Sequence, residues 1–315
     1  MGYNYNFIIN PKSGSSVNLD VIRDFRDYLC RSGRKVRIDL TRSLTHAGEL
    51  AQESVRTGCA AIVVAGGDGT VRAVAEAIAG SDVPILVIPC GTENLLAQEL
   101  GLDGSLKSTI ITLEHGLLRN LDLGKANDRH FMAIIGVGFD AEVVRRINLF
   151  RCGHITHADY IWPICRTYWE YHQPQLRVEA DGQLICDEPG LVFVGNISRY
   201  AVGLGIVPYA DFSDGRLDLT IYKCRRKREL LIHAVMTILQ RSSRSPNVTR
   251  LKCSRITLSS PERDVPVQID GDPGPKLPLH IEIIPAAAKV LTPPPPAGHK
   301  YHPPVRYYHL RRWLI

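Results

Sequence analysis

The apolar run Ala60-Ala61-Ile62-Val63-Val64-Ala65 breaks off into Gly66-Gly67-Asp68-Gly69-Thr70, three glycines and one carboxylate in five positions. An apolar run with no alternation describes a strand buried on both faces. Such a strand belongs in a parallel sheet covered by helices above and below. The flanking pattern agrees. "YNFIIN" (5–10) reads as a strand ending in the turn "NPKSGS", and residues 19–31 place Leu19, Ile22, Phe25, Arg26 and Leu29 at helical spacing. "KVRIDL" (35–40) alternates as a strand, and "THAGELAQESVR" (45–56) is predicted to be a helix with Thr45 as its N-cap. Helix 70–79, strand 83–89 and helix 92–101 follow. In sheets of this kind ligands bind beyond the carboxyl ends of the strands.

From about Asn120 the pattern changes. "LDLGKANDRHFMAIIGVGFDAEVV" reads as short strands with a tight turn at Asn127-Asp128, and a helix is predicted over 157–172. "PQLRVEADGQLI", "GLVFVGNIS", "GRLDLTIYK", "SRITLSS" and "VPVQIDGD" are strand-like pieces, interrupted by an apolar helix over 229–240. The expected organisation is an α/β domain over 1–123, completed by about 283–296, and a β-rich antiparallel sandwich over 124–282. A Pro-rich linker with a basic, aromatic tail occupies 292–315.

Composition narrows the partners. The chain of 315 residues carries 38 basic and 32 acidic side chains, a formal charge of +6. Anionic partners are favoured, with no nucleic-acid recognition motif beside the charge. Eight cysteines form no C-x-x-C pair, which signals neither a zinc site nor a disulfide framework. The apolar segment 230–239 is too short to span a bilayer and contains His233. A cytoplasmic protein is expected, peripheral at most at the inner face of the membrane, with a homodimer left open. "KCRRKREL" (223–230) and the tail "YHPPVRYYHLRRWLI" suit an anionic membrane surface as well as plain solvation.

The glycine turn has chemical meaning. Glycines let backbone approach a ligand without Cβ clashes, and the helix start that follows offers free N–H groups to a phosphate. Asp68 suits that setting through Mg²⁺, a hard cation that takes carboxylate, water and phosphate oxygens. The bland alternative is an ordinary strand-to-helix turn with Asp68 as N-cap. "NPKSG" (10–14), Thr41 and "PCGTEN" (89–94) follow the other strands and share the same predicted sheet edge.

Six motifs, "NPKSG", "GGDGTVRAVAEAI", "PCGTENLLAQELG", "GVGFDAEVV", "SDGRLDLTI" and "QIDGD", stand in the order seen in diacylglycerol kinase catalytic domains. From about residue 5 to residue 290 the chain resembles the bacterial lipid kinases of that superfamily, which also contains sphingosine and ceramide kinases. The resemblance implies a phosphofructokinase-like α/β nucleotide domain, a β-rich second domain, ATP and Mg²⁺ as cofactors, and a diacylglycerol-like or sphingoid lipid as acceptor. It assigns ATP contacts to Asn10, Pro11, Lys12, Ser13, Gly14, Thr41, Gly66, Gly67, Asp68, Gly69, Thr70, Val71, Arg72 and Thr92. Asp68 would work with the metal, with Asp122 near the phosphate-metal region. Asp211, Asp214 and Arg216 resemble a second, structural metal site.

The family's Asp-Gly-Glu triplet supplies the base for the lipid hydroxyl; here it reads Asp270-Gly271-Asp272. Asp272 is the expected base, about 1.5 Å shorter in reach than Glu. Leu95 and Gln98 replace an acid and an arginine common among relatives, and Ser15 replaces a lysine. An NAD-kinase-type enzyme, which shares GGDGT, and a catalytically weakened nucleotide- or lipid-binding protein are the alternatives.

Overall fold

A computed structural model describes residues 4–13, 16–149, 161–200, 205–239 and 245–295. Gly14 and most of the expected tail lie outside the described residues. The chain divides into two compact units. The first runs to Leu123 and also takes Phe212–Asp214 and the chain from Pro285 on; the second holds Gly124–Asp211 and Gly215–Ile284.

The first unit alternates β1 (Asn4–Ile9), α1 (Ser16–Arg31), β2 (Lys35–Leu40), α2 (Leu44–Arg56), β3 (Ala61–Gly66), α3 (Asp68–Ala77) and β4 (Pro84–Pro89). Next come α4 (Leu95–Leu100), α5 (Leu106–His115) and β5 (Leu117–Ala126), whose last residues belong to the second unit. The strands run parallel in the order β2-β1-β3-β4, with Phe7 opposite Val63 and Val63 opposite Leu86. All six residues of β3 are buried, as its unbroken apolar run requires. Ile22, Phe25 and Leu29 recur at helical spacing and seat α1 on Phe7, Val63 and Leu86. α2 begins earlier than expected: Ser43, not Thr45, is the N-cap, because its hydroxyl accepts the His46 N–H at 3.0 Å.

The second unit continues with β6 (Arg129–Phe131), β7 (Ile134–Val137), α6 (Phe139–Leu149), α7 (Ile161–Glu170), β8 (Gln175–Ala180), β9 (Gln183–Gly195) and β10 (Leu217–Lys223). It closes with α8 (Lys227–Ile238), β11 (Val248–Cys253), β12 (Arg255–Ser259), β13 (Val267–Ile269), β14 (Asp272–Pro273) and β15 (Leu279–Thr292). From Pro285, β15 belongs to the first unit, where it pairs parallel with β4 at Lys289 and Val290.

Antiparallel pairing gives one leaf in the order β14-β13-β7-β9-β10-β11 and another in the order β9-β8-β12-β15. The long β9 serves both leaves; it joins the end of "PQLRVEADGQLI" to most of "GLVFVGNIS", while the start of the former is β8. Val137, Val192, Val194, Leu219 and Ile269 from the first leaf meet Val178, Ile256, Leu258 and Ile281 from the second, which makes a sandwich core. "FDAEVV", expected as strand, is the start of α6. Gly138, with φ +104°, ends β7, and Ala141, Val144 and Ile147 then bury one helical face. Strand β11 and helix α5 have no counterpart in the sequence reading. Among the described residues no helix is long and apolar enough to cross a membrane.

Candidate active site

In the first unit four turns meet at the carboxyl ends of β1, β2, β3 and β4. The N–H of Asn10 donates to Ala65 at 2.9 Å, that of Thr41 to Ile9 at 2.8 Å, and that of Cys90 to Gly66 at 3.0 Å. Asn10 also reaches from the first turn into the third, its Nδ2 donating to the Thr70 hydroxyl at 3.1 Å. The turns after β3 and β4 touch backbone to backbone. A Cβ on Gly91 would lie 2.7 Å from the Gly67 Cα and 2.9 Å from the Asn94 Oδ1.

Asp68 is not the N-cap of its own helix. Gly67 takes that position, and Asp68 stands in the first turn of α3. Its carboxylate reaches sideways to α4, accepting the N–H of Leu95 at 2.9 Å and of Leu96 at 3.1 Å. Neither partner is legible from sequence, because both are main-chain groups 27 and 28 residues away. Pro11, Lys12 and Thr92 are exposed at this edge, with Ser13, Gly67, Asp68 and Gly69 half-buried. Gly66, Thr41, Thr70, Val71 and Arg72 are buried. Val71 packs into the interior, so only its main chain remains for a ligand.

In the second unit Asp270 and Gly271 have φ of +50° and +80° and join β13 to β14 as a two-residue turn, with Ile269 opposite Asp272. Asp-Gly is the pair such hairpin turns favour. The Asp270 carboxylate accepts three main-chain N–H groups, from Met132 at 2.9 Å, Ala133 at 2.9 Å and Ile134 at 3.0 Å. Asp272 is half-buried as the next residue of the chain. Three further side chains, absent from the sequence-based site, adjoin the turn. Gln268 accepts the Gly271 N–H, and Asp140 receives bonds from Gln268 and Tyr200. Burial raises the Asp140 carboxyl above its ordinary range, against those two hydrogen bonds.

Residues 4–126 match the family described as Diacylglycerol kinase catalytic domain, and residues 133–292 match the YegS C-terminal NAD kinase beta sandwich-like domain. A diacylglycerol kinase of Mycobacterium tuberculosis is 32% identical over 295 residues, 91% of this chain and 94% of that one. The chain belongs to the diacylglycerol kinase catalytic-domain superfamily. A diacylglycerol kinase of Staphylococcus saprophyticus is 28% identical over 91% of this chain and 94% of its own. The crystal structure of a diacylglycerol kinase from Bacillus anthracis superposes with a TM-score of 0.71 at 24% identity, covering 92% of this chain and 97% of that one, a likeness of fold.

The resemblance implies carboxylates for a metal, and the acidic candidates for that role are dispersed along the chain. Among the described residues no three His, Cys, Asp or Glu side chains cluster as a metal site. Mg²⁺ asks for less: one or two carboxylates, with phosphate and water completing the octahedron. Asp68, a carboxylate half-buried at the strand-end edge, is of the type that demand names.

Asp122 is turned inward within the first unit. It is buried, accepts the Ala286 N–H at 2.6 Å, and donates its own N–H to Phe212 at 2.7 Å. The same Phe212 carries the Arg119 guanidinium 4.2 Å from its ring centre, so the segment holding Asp214 is anchored from below. Asp214 is half-buried in the first unit. Asp211, half-buried, and Arg216, exposed, belong to the second.

Proposed function

We propose that this kinase transfers the γ-phosphoryl group of ATP, with Mg²⁺, to a hydroxyl of a diacylglycerol-like or sphingoid lipid. The observation that carries the reading is the strand-end edge of the first unit. Glycine backbones there lie in contact, Asp68 sits beside two helix starts, and four turns present main-chain and hydroxyl groups together. The positive N-terminal end of α3 suits polyphosphate. Asn10 to Gly14, Thr41, Gly66 to Arg72 and Thr92 are the proposed nucleotide contacts, with Val71 contributing main chain only. Asp68 would hold Mg²⁺, which supplies charge neutralisation for the transferring phosphoryl group.

Asp272 is the proposed base, accepting the proton of the acceptor hydroxyl. Asp270 cannot share that work without giving up its three amides. Asp211, Asp214 and Arg216 are proposed as a structural metal site on the resemblance alone.

Labelled ATP offered with a panel of lipids tests the reading. Label in an organic-extractable product supports it. Label in a dinucleotide identifies the NAD-kinase-type alternative, and nucleotide binding without turnover identifies a weakened binding protein. Asp272→Asn is expected to lower kcat at least a hundredfold; unchanged turnover removes Asp272 from the role.

Contact with an anionic bilayer fits the second unit. Helix α8 follows Arg225 and Arg226, begins with Lys227 and Arg228, and leaves Leu231, Ile232, Val235 and Leu239 exposed. Trp162 and Trp169 on α7 are exposed at 71% and 73%, and the Lys227 ammonium donates to the Trp169 carbonyl. Cations near an anionic surface contribute about 1 kcal/mol each. Flotation with phosphatidylglycerol vesicles, lost on replacing Arg225, Arg226 and Arg228 by Glu, is the expected outcome; flotation that ignores those charges refutes it.

A further inference from the structure

The motif "GVGFD" has no role in the reading above, and its acid ends next to the turn that carries Asp272. Gln268 lies directly opposite Gly136 in the pairing of β13 with β7. A Cβ on Gly136 would stand 2.5 Å from the Asp140 Oδ2 and 2.8 Å from the Gln268 Nε2. The space left by the absent side chain is therefore filled by a hydrogen bond, Gln268 Nε2 to Asp140 Oδ2 at 3.2 Å. The other Asp140 oxygen accepts the Tyr200 hydroxyl. On the far side of the same amide, Gln268 Oε1 accepts the Gly271 N–H at 2.9 Å.

The polarity of this chain is forced. The main-chain N–H of Gly271 only donates, so it must face the oxygen end of the Gln268 amide. That leaves the NH₂ end for the Asp140 oxygen. A flipped amide would set its NH₂ against the Gly271 N–H. Gln268 is 1% exposed, so water cannot repair that mismatch. Gly271 is the second of two left-handed residues, and Asp272 is the first residue after them.

We propose that Tyr200, Asp140 and Gln268 form a positioning relay that fixes the Gly271 amide and, through the turn, the direction of the Asp272 carboxylate. The inference rests on the reading of Asp272 as the base. It accounts for Gly136 as the residue that makes room for the relay. None of the three side chains is required to touch substrate.

The test uses the full chain, ATP and dioleoylglycerol in mixed micelles, with hydrogen exchange followed in the peptide spanning Val267–Gly274. Gln268→Met keeps the volume and removes both bonds. It is expected to raise exchange of that peptide and to lower kcat at least tenfold, with KM for ATP within twofold. Asp140→Asn is expected to lower kcat three- to tenfold alone and to add nothing in the Gln268→Met background, because its effect passes through the amide. Unchanged exchange in Gln268→Met overturns the inference, and so does faster exchange with kcat intact. Additive losses in the double variant also overturn it.

Should Gln268→Met not fold, Tyr200→Phe carries the test: two- to threefold lower kcat at unchanged Tm is expected, and full activity overturns. Asp272→Asn separates the two readings. Activity that survives it removes the base assignment; activity lost there but intact in Gln268→Met and Asp140→Asn removes the relay alone. A wild-type chain inactive on this acceptor counts against the proposed function, and the exchange measurement then decides whether the turn is held as described.

Discussion

Asp68 and Asp270 stand at the turns of the two motifs richest in glycine and acid, and both gather main-chain N–H groups. Their circumstances differ. Asp68 takes two N–H groups from the start of a six-residue helix and stays half-buried at a sheet edge. Asp270 takes three from the segment leading into β7, in a sandwich whose neighbouring residues Ile134 and Ile269 are buried. The first carboxylate is half-buried at an edge that solvent reaches. The second is committed to the fold. A motif acid that gathers three amides inside a core serves the fold first, which in the second unit directs attention from Asp270 to Asp272.

The largest expected effect tests that contrast directly. Asp270→Ala removes three charge-assisted bonds and leaves three amides to find other partners, at a cost of about 3–5 kcal/mol. Asp68→Ala removes two bonds at an edge that water reaches, at about 1–2 kcal/mol. Urea midpoints of the two variants measure the difference. Equal losses would break the comparison and make Asp68 a structural acid as well.

These roles were unequally legible. The apolar run 60–65 and its glycine turn announce a buried parallel strand that ends in a tight bend, because apolar continuity and glycine act locally. The partners of Asp68 and Asp270 are main-chain amides brought in by the fold, and no side-chain pattern reports them. "GVGFDAEVV" misleads for a related reason. Val137, Phe139, Ala141 and Val143 alternate as in a strand, while the same residues with Val144 and Ile147 also fit a helix face. The left-handed Gly138 decides between the two periods, and φ is not written in the sequence. Gln268 is a neutral amide and carries no charge signal in the sequence; its importance lies in a polarity imposed by neighbours that only the fold brings to it.

A second contrast sharpens the glycine side. Gly91 has a negative φ but no space, with Gly67 and Asn94 inside 3 Å of its missing Cβ. Gly271 has space, nothing within 4 Å, but a φ of +80°. Gly91→Ala must push the two strand-end turns apart and is expected to cost about 1–3 kcal/mol and to weaken ATP binding in a fluorescent-nucleotide titration. Gly271→Ala is expected to cost about 1–2 kcal/mol from backbone strain, leaving ATP binding unchanged. Equal ATP affinity in Gly91→Ala and wild type would separate the turn contact from the nucleotide site.

The smallest effect concerns how each unit holds an acid paired with arginine. Glu142 on α6 is opposed by burial, and bonds from Arg145 and Arg146 outweigh that and keep its carboxyl below the ordinary range. Glu114 on α5 is held low chiefly by the Arg34 guanidinium, with burial opposing and the Tyr28 hydroxyl at 3.0 Å helping. A carboxyl whose folded pKa is depressed adds stability above its unfolded value, near 4.3, and loses it as pH falls toward the folded one. The Arg34–Glu114 pair ties the turn before β2 to α5, part-buried on both sides. Glu114→Gln should therefore cost about 1 kcal/mol at pH 7, with the deficit shrinking once pH drops below about 4.3. A deficit constant between pH 7 and pH 3.5 would mean that Tyr28 packing and shape, rather than the charge on Glu114, hold α5 in place.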